Sequence, residues 1–364
     1  MAVLELRPAG LYCPAGDFYI DPWRPVDRAV LTHAHADHAR RGHGHYLAQR
    51  DALGVLRTRL GPVAIDAVGY GEATVVGQAR VSLHPAGHVL GSAQVRVEVG
   101  GEVWVVTGDY KLDPDPTCTP FEPVRAHVLI TESTFGLPIY RWAPPVRLFA
   151  EIDEWWRGNA ALGRPSIVYA YAFGKAQRIL AGVDASIGPI VCHGAVELLN
   201  RCYRDAGVAL PPTQVAGGPA RNADRAALAQ ALVVAPPSAQ STPWLRRFPE
   251  AGDAFASGWM QVRGARRRRS VDRGFVMSDH ADWPGLLRAI EASGASRVYA
   301  THGYAAALAR YLCGRGLDAR TFDTGEFDAQ YGGEQEEPAL PQDALAAAGP
   351  AAATAGLDGP SADA

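Results

Sequence analysis

The sequence predicts a mixed α/β chain, and three observations predict it. Short apolar runs bounded by turn residues recur along its length, helical periodicity fills several of the intervals between them, and the strand-like runs end repeatedly in histidine or a carboxylate. With 364 residues, 48% of them hydrophobic and 20% charged, the chain is large enough for two packed domains. Collagen, coiled coil and wholesale disorder are excluded.

Taken in order, residues 29–31, 103–106, 128–130, 167–170, 232–235, 275–277 and 298–300 read as strands, and 148–156, 176–185, 196–205, 286–292 and 305–312 as helices. The pairs Gly61-Pro62 and Gly100-Gly101 read as hairpin turns, so the early strands are expected antiparallel and the later ones alternate with helices. From Glu334 onward the chain is Ala, Pro, Gly and acid with almost no large apolar side chain, so 331–364 is expected to be a disordered tail. No internal repeat is visible.

No run of 18 apolar residues occurs, and Glu5 and Arg7 interrupt the stretch where a signal peptide needs an apolar core. A cytoplasmic protein is the expectation. Cys13, Cys118, Cys192, Cys202 and Cys313 are scattered, odd in number and never spaced CxxC, which suggests neither a disulfide framework nor a thiolate zinc knuckle. The net charge of −3 hides a positive body, because six acids and no Lys or Arg fall between Glu334 and Ala364. Of the 35 basic residues only Lys111 and Lys175 are lysines. Arginine suits bidentate phosphate recognition, although a GC-rich genome gives the same skew.

The chemistry begins where the strand 29–31 empties into HxHxDH. His33 and His35 can converge on one metal while Asp37 and His38, on the following turn, face a second. Two such ions are a standard means of holding both oxygens of a phosphoryl displacement. His88 stands between glycines in Ala86-Gly87-His88-Val89-Leu90-Gly91, and Asp109 ends a strand through Gly108. Glu132 follows 128–131, His280 lies in Ser278-Asp279-His280-Ala281-Asp282 before a helix, and His302 closes 297–301. Strand ends that each deliver His, Asp or Glu argue for one shared site.

These motifs (Asp21, HxHxDH, AGHxLGSA around His88, TGDY around Asp109, TEST around Glu132, SDHAD around His280 and THG around His302) resemble, in order and over about residues 10–325, the metallo-β-lactamase fold in its β-CASP nuclease branch. The segments from Gly108, from Thr134 to Trp142 and from Val262 are most similar to the bacterial DNA-ligase-associated exonucleases. The resemblance implies an αββα sandwich carrying an inserted α/β domain, with 1–162 and 275–330 forming the sandwich and 163–274 the insert. The interval between Glu132 and His280 is indeed too long for a loop.

The same resemblance implies two Zn2+ (Mn2+ serving in vitro), the first on His33, His35 and His88, the second on Asp37, His38 and His302, with Asp109 bridging. It makes Asp21, with Asp17 as rival, the residue that orients a ligand imidazole, and gives His280, paired with Glu132, the task of protonating the leaving oxygen or clamping the phosphate. It implies a DNA exonuclease acting on single-stranded or end-processed DNA in repair, associated with a DNA ligase and a helicase. Histidine at position 302 leans instead towards the RNA-processing members. A small-molecule metallohydrolase shares HxHxDH but lacks use for the long insert, and an inactive nucleic-acid-binding subunit would have lost ligands that this chain keeps.

Two further segments read as nucleic-acid contacts. Lys175 and Arg178 open a helix near Tyr171 and Phe173, where they can hold a phosphate while an aromatic ring stacks a base; core aromatics and a solvated helix face are the alternative. The run Arg263, Arg266, Arg267, Arg268, Arg269, with Arg273 beyond it, precedes His280 and can neutralise several phosphates, or form a solvated loop.

Overall fold

A computed structural model describes residues 2–216, 228–262, 264 and 271–322. The expected tail and Arg263 and Arg266 to Arg269 lie outside the described residues. The chain begins with β1 (Glu5–Arg7), β2 (Gly10–Cys13), β3 (Phe18–Ile20), β4 (Arg28–Val30), β5 (His45–Gln49), α1 (Leu53–Leu60) and β6 (Ile65–Val68). The six strands make one sheet in that order. Then come β7 (Ala73–Val76), β8 (Ala79–Pro85), β9 (Ala93–Val99), β10 (Glu102–Val106), β11 (Val128–Glu132) and α2 (Pro145–Ala161).

The middle of the chain forms β12 (Ser166–Tyr169), α3 (Lys175–Gly182), β13 (Ile190–Cys192), α4 (Gly194–Asp205), β14 (Gln214–Val215), β15 (Leu232–Ala235), β16 (Gly252–Ser257) and β17 (Arg273–Val276). These strands are a separate, wholly parallel sheet in the order β14-β13-β15-β12-β16-β17. The chain then returns through α5 (Trp283–Ser293), β18 (Arg297–Thr301), α6 (Ala305–Gly314) and β19 (Asp318–Thr321) to complete the second sheet, β19-β18-β11-β10-β9-β8-β7.

The alternating apolar residues of the first two sheets meet face to face: Phe18, Ile20, Val30 and Leu47 pack against Val81, Val95, Val97, Val106 and Ile130. The other face of the second sheet is covered by α5 and α6 through Trp283, Ile290, Leu308 and Leu312. The other face of the first sheet carries α1, and a continuous core runs from Leu31, Tyr46 and Leu56 into the inserted unit through Phe173, Leu180, Leu199 and Tyr203. This is an αββα sandwich with an α/β unit let into it.

Two expectations change. Gly61-Pro62 is no hairpin: Gly61, at φ +78°, terminates α1, its amide bonding to the carbonyl of Arg57. The first sheet is antiparallel only through β3; β3, β4, β5 and β6 run parallel. The short helix α1 between β5 and β6 supplies the crossover that parallel strands need. Gly100-Gly101 does turn the antiparallel pair β9 and β10.

The parallel arrangement positions the site. Because β10, β11 and β18 are parallel neighbours, their carboxyl ends lie along one edge. The ends of β3 and β4 lie beside each other in the facing sheet. The insert is fixed to the sandwich partly through Trp156 of α2, which is fully buried and donates its indole N–H to the carbonyl of Gln230 at 2.8 Å. Replacing Trp156 by Ala is expected to lower unfolding stability by about 3–5 kcal/mol in urea titration; a loss below about 1 kcal/mol would contradict this packing.

Candidate metal centre

Each imidazole of the HxHxDH segment is held by one nitrogen. Asp21, from the end of β3, accepts the Thr32 amide at 2.8 Å and the Thr32 hydroxyl at 2.5 Å, and its Oδ2 lies 2.7 Å from His38 Nδ1. Thr32 Oγ1 lies 3.1 Å from His33 Nδ1. His35 Nε2 is 3.3 Å from the carbonyl of Phe173 in the insert, and His88 Nδ1 is 2.8 Å from the carbonyl of Asp279. His302 Nδ1 is 2.6 Å from Thr301 Oγ1. Anchoring one ring nitrogen aims the other and sets the tautomer.

The other nitrogens of His33, His38 and His88 converge on Asp109. Its Oδ2 lies 3.4 Å from His33 Nε2, 3.5 Å from His38 Nε2 and 3.7 Å from His88 Nε2. His88 Nε2 is 3.0 Å from His35 Nδ1. Donor atoms of His33, His35, His88 and Asp109 all fall within 4.8 Å of one another. His33 Nε2 is buried and has no hydrogen-bond partner among the described residues, so a cation is what this donor set suits. Asp37 approaches His38 Nε2 to 3.7 Å, and the His38 and His302 rings lie 6.1 Å apart between centroids, a looser grouping that lines one cavity with Asp109.

Burial, reinforced by the neighbouring His38, holds the His33 imidazole well below the usual histidine range; burial and His88 do the same to His35, and burial and His280 lower His88. Neutral imidazole is the form that ligates. His38 goes the other way: burial opposes its charge, but Asp109, Asp37 and Asp21 carry it well above that range. Burial also opposes ionisation of Asp109, yet His38 and His280 hold its carboxyl well below the carboxylate range. Asp21 and His302 adopt left-handed backbone, φ +42° and +58°, a strained conformation for these residues.

Beside this group His280 Nδ1 sits 2.9 Å from Glu132 Oε2, and Glu132 Oε1 accepts the Tyr110 amide at 2.8 Å. The Ser278–Asp282 turn that carries His280 is held from both domains. Trp142 Nε1 donates to the His280 carbonyl at 2.9 Å. Arg178, from α3, donates to the Ser278 carbonyl at 2.5 Å and lies 3.4 Å from Asp279 Oδ1 and 3.3 Å from Asp115 Oδ2. Lys175 Nζ lies 3.9 Å from Asp279 Oδ2, and Lys111 Nζ 3.9 Å from Asp115 Oδ2.

The structure therefore corrects one reading. Lys175 and Arg178 are 1% and 5% exposed and pair with internal acids, so they are not presented to a strand at the surface. Tyr171 and Phe173, at 9% and 0%, are core aromatics. Asp17 is not the rival to Asp21: it accepts from the Tyr12 hydroxyl at 2.8 Å, whereas Asp21 reaches His38. Sequence reasoning missed Thr32, Asp115 and Trp142, and it missed Asp279, whose carbonyl holds His88. Asp279 carried a signal in its place inside SDHAD, and Asp115 and Trp142 lie in the segments from Gly108 and from Thr134 that carry the resemblance, with nothing to mark those two side chains individually.

Among known proteins, the chain is 33% identical over 313 residues to a protein of Opitutus terrae named Probable DNA ligase, covering 85% of this chain and 30% of that one. It is 31% identical over 123 residues to Endoribonuclease ysh1 of Aspergillus fumigatus, 33% of this chain and 14% of that one, and 30% identical over 122 residues to Endoribonuclease YSH1 of Saccharomyces cerevisiae, 33% and 15%. The chain thus spans less than a third of the length of these curated relatives. No family model matches. A protein of unknown function from Enterococcus faecalis V583 superposes with TM-score 0.55 at 12% identity, over 81% of this chain and 79% of that one. The αββα sandwich with its α/β insert is compatible with the metallo-β-lactamase fold carrying a β-CASP insert. Among the described residues no helix is long and apolar enough to cross a membrane.

Removing the Arg178 guanidinium leaves the buried Asp115 and Asp279 with lysines at 3.9 Å as their remaining ion-pair partners, Asp115 keeping its hydrogen bonds from the Thr117 amide and hydroxyl. Arg178→Met is expected to cost about 3–5 kcal/mol in denaturant unfolding, and adding Asp279→Asn to recover part of it. Strict additivity of the two losses would show that the pair is not coupled.

Proposed function

We propose that this chain is a two-metal phosphodiesterase that trims DNA from an end, on single-stranded or end-processed DNA in repair. The observation that carries it is the convergence of His33, His35, His88 and Asp109, with a buried imidazole nitrogen that makes no hydrogen bond, beside the looser Asp37, His38 and His302. The imidazole-rich donor set favours Zn2+, and Mn2+ suits the same ligands. His33, His35 and His88 would hold one ion, Asp37, His38 and His302 the other, and Asp109 both. Bound there, the ions supply Lewis acidity to the oxygens of a phosphoryl group in displacement.

The chain's own residues do the rest. Asp21 and Thr32 keep His38 and His33 aimed inward, and the Asp279 carbonyl does so for His88. Glu132 holds His280 through Nδ1, so Nε2 is the nitrogen that donates to a departing oxygen or to the phosphate. The alignment with a protein named a DNA ligase extends over far more of the chain than those with endoribonucleases, which supports DNA and an end that a ligase later joins. His302 supports the alternative, an RNA-processing enzyme. Repair partners such as a ligase and helicase, and a cytoplasmic setting, belong to the same reading. The domain limits proposed are 1–162 and 275–330 for the sandwich and 163–274 for the insert.

The test is cleavage of matched end-labelled single-stranded DNA and RNA by wild type and Asp109→Asn with Zn2+ or Mn2+. Stepwise shortening of DNA, reduced at least 100-fold in the variant, is expected. Cleavage of RNA alone would replace the substrate, and cleavage of neither by metal-loaded protein would overturn the reading.

A further inference from the structure

The segment following β11 builds an aromatic cluster at the seam between sandwich and insert. Phe135 and Tyr140 are buried, their rings 4.8 Å apart, and Phe135 also lies 4.8 Å from Trp142 and 4.9 Å from Trp259 of the insert. Tyr304, on the sandwich, lies 5.9 Å from Tyr140, their hydroxyls 3.2 Å apart, and 6.3 Å from Trp259. The inner two rings complete a small core. The outer three, Trp142, Trp259 and Tyr304, remain partly exposed.

This surface is fastened to the proposed reaction centre. Trp142 Nε1 holds the His280 carbonyl at 2.9 Å, and the Phe135 ring is 6.0 Å from that of His280. The Tyr304 amide donates to Ser133 O at 2.9 Å, and Ser133 Oγ donates to the carbonyl of Thr301, which precedes His302. The same segment exposes Ile139, at 55%, and Arg141, which pairs with no acid among the described residues. Partly exposed rings from both domains, an unneutralised guanidinium and His280 next to them match a chain of alternating flat apolar rings and phosphates.

We infer that Trp259, Trp142 and Tyr304 form a stacking platform for nucleobases flanking the phosphate at His280, with Arg141 contacting a neighbouring phosphate. The occupant is a single strand, since paired bases keep their faces stacked on each other. The inference rests on the phosphodiesterase reading and extends it to base recognition. It also moves the stacking surface away from Tyr171 and Phe173, which are buried.

The test compares a 12-nucleotide thymidine oligomer with an abasic oligomer of equal length and charge, by fluorescence anisotropy in the Asp109→Asn background. Trp259→Ala is expected to weaken binding of the base-bearing strand roughly 5- to 100-fold and leave the abasic strand within about twofold, whereas Trp259→Phe keeps most of the preference. Arg141→Ala is expected to weaken both strands alike. Intrinsic tryptophan fluorescence of the unaltered protein gives a second readout, quenched by the thymidine strand and not by the abasic one. Equal affinity for the two strands, or an equal loss for both in Trp259→Ala, overturns the platform and leaves the phosphodiesterase reading standing. Binding of neither strand overturns both.

Discussion

A buried carboxylate surrounded by imidazoles is the constraint on which the rest of this structure depends. Asp109 Oδ2 lies 3.4 to 3.7 Å from nitrogens of His33, His38 and His88, too far for good hydrogen bonds and too near for indifference. Burying a charge at such a place is costly unless opposite charge compensates it. Protonating His38 compensates part of it, and divalent ions shared among the same atoms compensate it better.

The architecture follows from the need to bring those groups together. Parallel strands β10, β11 and β18 deliver Asp109, Glu132 and His302 along one edge, and β4 of the facing sheet delivers His33 and His38 opposite them. The β8–β9 turn supplies His88; Gly87 at φ +72° runs so close to Lys111 that a Cβ would lie 2.3 Å from its carbonyl oxygen. The insert then closes the ring of supports. Its Phe173 carbonyl meets His35, and its Arg178 grips the turn whose Asp279 carbonyl meets His88. The two domains are thus joined through the orientation of His35 and His88 as well as through a core.

Much of this was legible in the sequence for a simple reason: HxHxDH compresses its donors into a few residues after an apolar strand, and SDHAD and THG repeat the pattern of a strand ending in a donor. What escaped was nonlocal. Gly61-Pro62 carries turn chemistry that serves a helix end as well as a hairpin, so the parallel half of the first sheet was missed. Lys175 and Arg178 begin a helix in a way that suits phosphate binding, and no local signal tells that the acids Asp115 and Asp279 face them from the other domain. Nothing local to Trp142 told that its indole would hold His280, because that bond spans the whole insert.

The measurement that bears most directly on the account is an anomalous-scattering map of the crystallised protein at the zinc edge after Zn2+ loading. Two peaks roughly 3.5–4 Å apart are expected, one among His33, His35 and His88 and one among Asp37, His38 and His302, with Asp109 reaching both. Peaks elsewhere, or none in protein that retains its fold, would contradict this.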